Sequence, residues 1–189
     1  MFEPDDRFRL LTIARHSLEA RVRRDRDPAP EGGGALDIHC GAFVSIHHGD
    51  DLRGCLGRLG ADWSIARVVA HLGRAVADSD PRFRPVSVDE LEQLSIEISA
   101  LSPERDVQSI DEIEIGRHGL IVERDGCRGL LLPQVATEYD WDVETFLAHT
   151  CAKAALPPEA WRHGARILIF EAEVFSEHRD ERLPESPAI

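Results

Sequence analysis

The sequence predicts an α+β fold: a largely antiparallel sheet with flanking helices. Three observations carry this. Hairpin signals stand at Gly49-Asp50-Asp51 and at Asp125-Gly126. Apolar residues recur at helical spacing in three other segments. Strands and helices do not follow the regular βαβ rhythm of a parallel sheet. With 189 residues, 42% hydrophobic and 30% charged, the chain is long enough for a substantial core.

In order, Asp6 to about Arg24 reads as an amphipathic helix, with Leu11, Ala14, Leu18 and Val22 on one face. Asp25 to Gly34 is rich in Pro and Gly and reads as a linker. Cys40 to His48 alternates Ala42, Val44 and Ile46 with Phe43, Ser45 and His47, the pattern of a half-buried strand, and Leu52 to Gly57 returns as its partner. Ser64 stands where it can cap a helix bearing Ile65, Val68, Val69, Leu72 and Val76. Pro81 and Pro85 keep Asp80 to Pro85 in a loop. Ser87-x-x-Glu90 has capping-box spacing for a short helix ending near Leu94, and Ser109-x-x-Glu112 marks another short turn. Ser95 to Ser102 alternates as a strand. Leu120 to Leu132 forms the second hairpin, Asp142 to Ala155 a helix, and Arg166 to Phe175 a last strand. After Ser176 the tail is polar and expected to be disordered.

A net charge of −13 opposes binding to a nucleic-acid phosphate backbone or an anionic membrane, so neither is expected as a partner. No apolar run approaches the roughly 20 residues of a spanning helix. The acidic start lacks a signal-peptide core, and a cytoplasmic protein is expected. Four cysteines at 40, 55, 127 and 151 form no Cys-x-x-Cys pair and read as free thiols. The histidines at 39, 47, 48, 118 and 149 have no ligand spacing, so no metal site is expected. A phosphate loop, a dinucleotide fingerprint, a radical-cluster cysteine triplet and a serine elbow are all missing, and no cofactor is predicted.

The most informative stretch is Leu52-Arg53-Gly54-Cys55-Leu56-Gly57. Glycine inside a strand marks a bulge or a close backbone approach. Cys55 between two glycines has little cover, and Arg53 nearby would favour its thiolate. Cys55 is therefore the candidate nucleophile. His47 and His48 on the facing strand are candidate bases, with register deciding between them. A tight bend holding a small buried thiol is the alternative. Arg53 and Arg58 are candidates for an anion-binding rim. Asp80 and Arg82 read either as an oriented arginine for a carboxylate or phosphate, or as a salt bridge pinning a loop to the hairpin. Gln134 and Glu138 share a face if their segment is helical, and read either as a ligand-binding amide and carboxylate or as ordinary helix-entry chemistry. Lys153 is the single lysine in a chain with 22 Lys and Arg residues, and a ligand contact there would need its compact ammonium.

These motifs resemble those of the AMMECR domain family, of the AmmeMemoRadiSam system protein A type. The resemblance rests on Leu52 to Gly57, on Asp80-Pro81-Arg82-Phe83-Arg84-Pro85, and on Gly129-Leu130-Leu131-Leu132-Pro133-Gln134-Val135-Ala136. Trp141, Phe146-Leu147, Cys151 to Ala154 and Trp161 follow in the family's order. Leu56 stands where the family often carries isoleucine. The resemblance implies a two-lobed α+β domain over 36–176, with an N-terminal helix and linker over 1–35 packing on it and a tail over 177–189. It also implies work alongside a Memo-type protein and a radical SAM protein. It leaves open whether the chain is an enzyme with a Cys55-centred cleft for thiol chemistry or a small anionic ligand, or a non-catalytic adaptor presenting a substrate to those partners.

Overall fold

The computed structural model describes residues 2–26, 29–30 and 32–177. They form two compact units, one from the described residues up to Ala100 together with residues 173–177, the other from Leu101–Ala172.

The first unit starts with helix α1 (Pro4–Arg23), whose proline occupies the first turn, where no N–H is needed. The helix stops where Arg24 takes a left-handed φ of 62° and the N–H of Asp25 returns to the carbonyl of Ala20. Strands β1 (Ala42–His48) and β2 (Asp51–Arg58) form the first hairpin, with Gly49 at φ 61° in the turn. Helix α2 (Ile65–Ala75) and a 3-10 turn at Val88–Gln93 lead into β3 (Leu94–Leu101). β1 pairs antiparallel with both β2 and β3. Ala42, Val44 and Ile46 face Ala100, Ile98 and Ile96, and all six are buried in one apolar layer. Leu10, Ala14 and Leu18 of α1 join that core with Val68, Val69 and Leu72 of α2. The two helices approach so closely at Gly73 that a Cβ there would stand 2.6 Å from the carbonyl oxygen of Ala14.

The second unit holds β4 (Arg105–Asp106), β5 (His118–Arg124), β6 (Cys127–Leu131), the short helix α3 (Pro133–Glu138) and helix α4 (Val143–Lys153). The last strand, β7 (Arg166–Ser176), begins in this unit, between β4 and β5. Its final residues belong to the first unit, where the Glu177 N–H donates to the Ile96 carbonyl. Asp125 (φ 52°) and Gly126 (φ 80°) turn the β5–β6 hairpin, as a two-residue primed turn requires. Phe146, Leu147 and Cys151 of α4 pack on Leu120, Val122 and Ile169.

The expected class and the succession of hairpins and helices are present, and both capping boxes form. The two-residue β4 was not expected, and the Gln134–Glu138 segment is helical. Ser64 caps α2 by position alone: its side chain makes no capping bond, while its backbone forms an isolated antiparallel bridge with His39. The linker at 25–34 is described except for residues 27, 28 and 31. The tail expected after Ser176 lies, from residue 178 on, outside the described residues.

Candidate functional site

Cys55 stands directly across from Ser45, and Gly54 across from Ile46. Ile46 is fully buried, so Gly54 faces the core, where an added Cβ would crowd Val76 and Ile46 at 3.1–3.2 Å. Alternation then turns Cys55 to the opposite face, together with Phe43, Ser45 and His47. The two glycines do different jobs. Gly54 lets the strand sit on the core, whereas the Phe43 ring lies over Gly57, 2.3 Å from where a Cβ would be. The register shifts between Ile46 and His47, which makes Arg53 the extra residue of a bulge.

β2 has β1 on one side, and its other edge at Cys55 is closed by side chains. The backbone N–H of Cys55 donates to Asp80 Oδ2 at 2.9 Å, and Arg82 Nη2 donates to the Cys55 carbonyl at 3.3 Å. Arg82 also donates to Asp80 from its own backbone N–H (3.1 Å), from Nε (3.0 Å) and from Nη2 (2.7 Å). The pair thus occupies the place of a neighbouring strand, one carboxylate accepting and one guanidinium donating. Asp80 is buried, with 3% of its side chain exposed, against 57% for Arg82. The hydrogen bonds from Arg82 hold the Asp80 carboxyl far below the ordinary carboxylate range, with the Cys55 amide pulling the same way against desolvation. The Arg82 guanidinium is in turn held more firmly protonated, foremost by Asp80, and the adjacent Cys55 thiol adds to that effect.

The cation bonded to Cys55 is therefore Arg82, through the backbone carbonyl. Arg53, two residues from Cys55, is committed elsewhere: Nε donates to Glu90 at 3.0 Å and Nη2 to the Pro85 carbonyl at 3.3 Å. Arg84 donates to the same Glu90 oxygen at 3.2 Å. Burial pushes the Glu90 carboxyl up, yet the Ser87 backbone and the Arg53 guanidinium bring it down to about 2. Glu90 is a site residue that sequence reasoning read only as half of a capping box; it ties β2, the proline loop and the 3-10 turn together. Arg58 is held by Asp62 at 2.7 Å and stacks 4.1 Å from the Trp63 ring centroid, so it is bound within its own loop.

Of the two histidines, alternation puts His47 on the face of Cys55. Its Nε2 is buried without a hydrogen-bond partner among the described residues. His48 points the other way, and its Nε2 meets Gln93 Oε1 at 2.8 Å, which removes it as a base for the thiol. The remaining candidates belong to the second unit. Gln134 and Glu138 are exposed on α3, and Lys153 is exposed in the last turn of α4. Burial pushes the Cys40 thiol up to about 11 and raises that of Cys151 as well, while Cys127 is exposed on the second hairpin. No group of three or more potential metal-ligating side chains occurs among the described residues, and no described helix is long and apolar enough to cross a membrane.

Comparison with known proteins adds kinship to this geometry. A family model described as AMMECR1 matches residues 11–175. A protein of Methanosarcina mazei is 37% identical over 177 residues, 88% of this chain and 89% of its own length. Protein MJ0810 of Methanocaldococcus jannaschii is 41% identical over 146 residues, 72% of this chain and 73% of its own. The crystal structure of the uncharacterized protein PH0010 from Pyrococcus horikoshii is similar with a TM-score of 0.78 at 34% identity, covering 94% of this chain and 92% of that one.

Proposed function

The chain belongs to the AMMECR1 family, and on that premise we propose that it is a thiol-bearing, ligand-handling component that works in the cytoplasm beside a Memo-type protein and a radical SAM protein. The observation that carries this reading is the setting of Cys55. It is half-buried on the face of the sheet opposite the core, with its backbone N–H fixed by Asp80 and its carbonyl by the Arg82 guanidinium. A rigid backbone and an adjacent cation suit a thiol that meets an anionic substrate. In such a step the sulfur attacks an electrophilic acyl carbon and a C–S bond forms. The bond to the leaving group breaks, and that group departs with the electron pair and takes up the proton given by the thiol, with His47 as the base on the same face.

A second reading has its own support. Asp80 and Arg82 are fully engaged in closing the edge of β2, as a surface built only to present a partner would be. One experiment separates the two. The tagged chain and its Cys55→Ser variant are purified from the native host and measured by intact-protein mass spectrometry. The thiol reading predicts a mass adduct mapping to Cys55, absent from the variant, with the Memo-type and radical SAM proteins co-purifying in both. A variant that retains both partners and full system activity, with no adduct on the parent, leaves the adaptor reading.

A further inference from the structure

The second unit contains a cavity of about 430 Å³ at the end of the β5–β7 pair, where His118 stands opposite Glu171. The volume falls within the ~300–1,000 Å³ typical of small-molecule sites. His118 gives the cavity its character. Its side chain is only 7% exposed, and its Nδ1 accepts the backbone N–H of Glu114 at 3.0 Å. A ring nitrogen that accepts a hydrogen bond carries no proton, so Nε2 is the ring's donor. That N–H has no hydrogen-bond acceptor among the described residues: Glu171 Oε1 is 3.9 Å away, beyond hydrogen-bond range. His118 lines the cavity, so this N–H is left to donate to an acceptor held there.

The charged groups around it are unevenly used. Arg117 is spent on Glu171 through Nε at 3.0 Å and on Glu114 through Nη1 at 3.1 Å. Arg105 gives one nitrogen, Nη1, to Glu112, and the rest of its guanidinium has no acceptor among the described residues. Glu171 receives Arg117 on Oε1, which leaves Oε2 without a donor. The cavity therefore presents two donors without a protein acceptor, His118 Nε2–H and the half-exposed Arg105 guanidinium, and the half-exposed Glu171 Oε2 without a protein donor. A simple anion would meet three carboxylates against two guanidiniums and would bring no donor to Glu171 Oε2. A simple cation would leave His118 unanswered. A molecule carrying both charges satisfies all three groups.

We propose that this cavity binds a small zwitterion of the α-amino-acid class, its carboxylate taken by His118 Nε2–H and Arg105, its ammonium by Glu171. The site is independent of the Cys55 reading. The test is NMR titration of the full-length ¹⁵N-labelled protein with a pool of the twenty proteinogenic amino acids, and separately with acetate and with methylamine. The ring tautomer of His118 is read by long-range ¹H–¹⁵N correlation. Expected are a proton on Nε2 and saturable shifts of the Glu114, Arg117, His118 and Glu171 amides at millimolar amino acid. Acetate and methylamine each bind at least about ten-fold more weakly, a difference of one decade in Kd. His118→Phe abolishes the shifts, and because that variant alters a buried position, Arg105→Gln at the exposed rim serves as the second: it keeps the spectrum of the fold and weakens binding at least about five-fold. The proposal is overturned by a proton on Nδ1, by the absence of any saturable shift, by acetate or methylamine binding as tightly as the amino acids, or by unchanged affinity in Arg105→Gln.

Discussion

Replacing Asp80 by asparagine keeps the volume of the side chain and removes its charge, at the residue that closes the edge of β2. The aspartate accepts from the Cys55 amide at 2.9 Å and from Arg82 at 3.1, 3.0 and 2.7 Å. All four partners are donors, so an asparagine NH2 must turn one of its own donors towards at least one of them. Hydrogen bonds to a charged group contribute about 1.5–3 kcal/mol each. Breaking a fully buried ion pair costs about 3–5 kcal/mol, but the guanidinium here is half-exposed and water takes over part of its solvation. The expected cost of Asp80→Asn is about 2–4 kcal/mol, measured by urea unfolding followed by far-UV circular dichroism. The pH dependence has a definite sign. The carboxyl is held far below its unfolded value of about 3.9, so its contribution is fully present above that value and is lost only as pH falls through the folded pKa. The gap between parent and variant should be flat from about pH 5 to 8 and narrow below about pH 4. Hydrogen exchange at the Cys55 amide should accelerate in the variant, because its acceptor is weakened. A stability loss under about 0.5 kcal/mol, or a gap that widens in acid, would refute the edge-closing role.

Gly57→Ala sets a Cβ 2.3 Å from the Phe43 ring and should cost about 1–3 kcal/mol; the double variant Phe43→Ala/Gly57→Ala should cost less than the sum of the two singles, and additivity would show that the ring is not what excludes the Cβ. Gly129→Ala meets backbone instead, at 2.3 Å from the Ala154 nitrogen, and should cost about 3 kcal/mol with no side-chain variant able to rescue it, as judged by thermal unfolding. Lys153→Arg should leave stability within about 0.5 kcal/mol, since the side chain is exposed at the end of α4. If its ammonium contacts a ligand, the same variant lowers activity in a system reconstituted with the Memo-type and radical SAM proteins, and full activity makes Lys153 an ordinary surface cation.

Much of the fold was legible because it is written in local patterns. Alternation gave β1, helical spacing gave α1, α2 and α4, and Asp125-Gly126 gave the second hairpin. The two-residue β4 carries no period to read. The site was legible only in part. Cys55 and its glycines stood out, but the bulge at Arg53 and the contact from Asp80, 25 positions away along the chain, leave no local trace. Proximity in sequence therefore favoured Arg53 as the cation, whereas Glu90 takes Arg53 and the chain folds Arg82 onto the Cys55 carbonyl. His47 and His48 differ by one step of a strand, which is one whole face. The buried Ile46 settles which of them shares the face of Cys55. His118 offered no signal at all, because what distinguishes it is a backbone N–H donated to its ring from four residues before it.

The proposed function requires that the Asp80–Arg82 clamp keep the Cys55 thiol accessible and reactive. Its most direct test is the rate of iodoacetamide labelling of each thiol in the folded protein, read by peptide mass spectrometry, for the parent and for Arg82→Gln. Exposed Cys127 serves as the internal reference, and buried Cys40 and Cys151 report on unfolding. Cys55 should label at least as fast as Cys127 despite its lower exposure, Cys40 and Cys151 should stay unlabelled, and Arg82→Gln should slow Cys55 severalfold while leaving Cys127 unchanged. A Cys55 that stays inert until the protein unfolds, or that reacts at the same rate without Arg82, would contradict it.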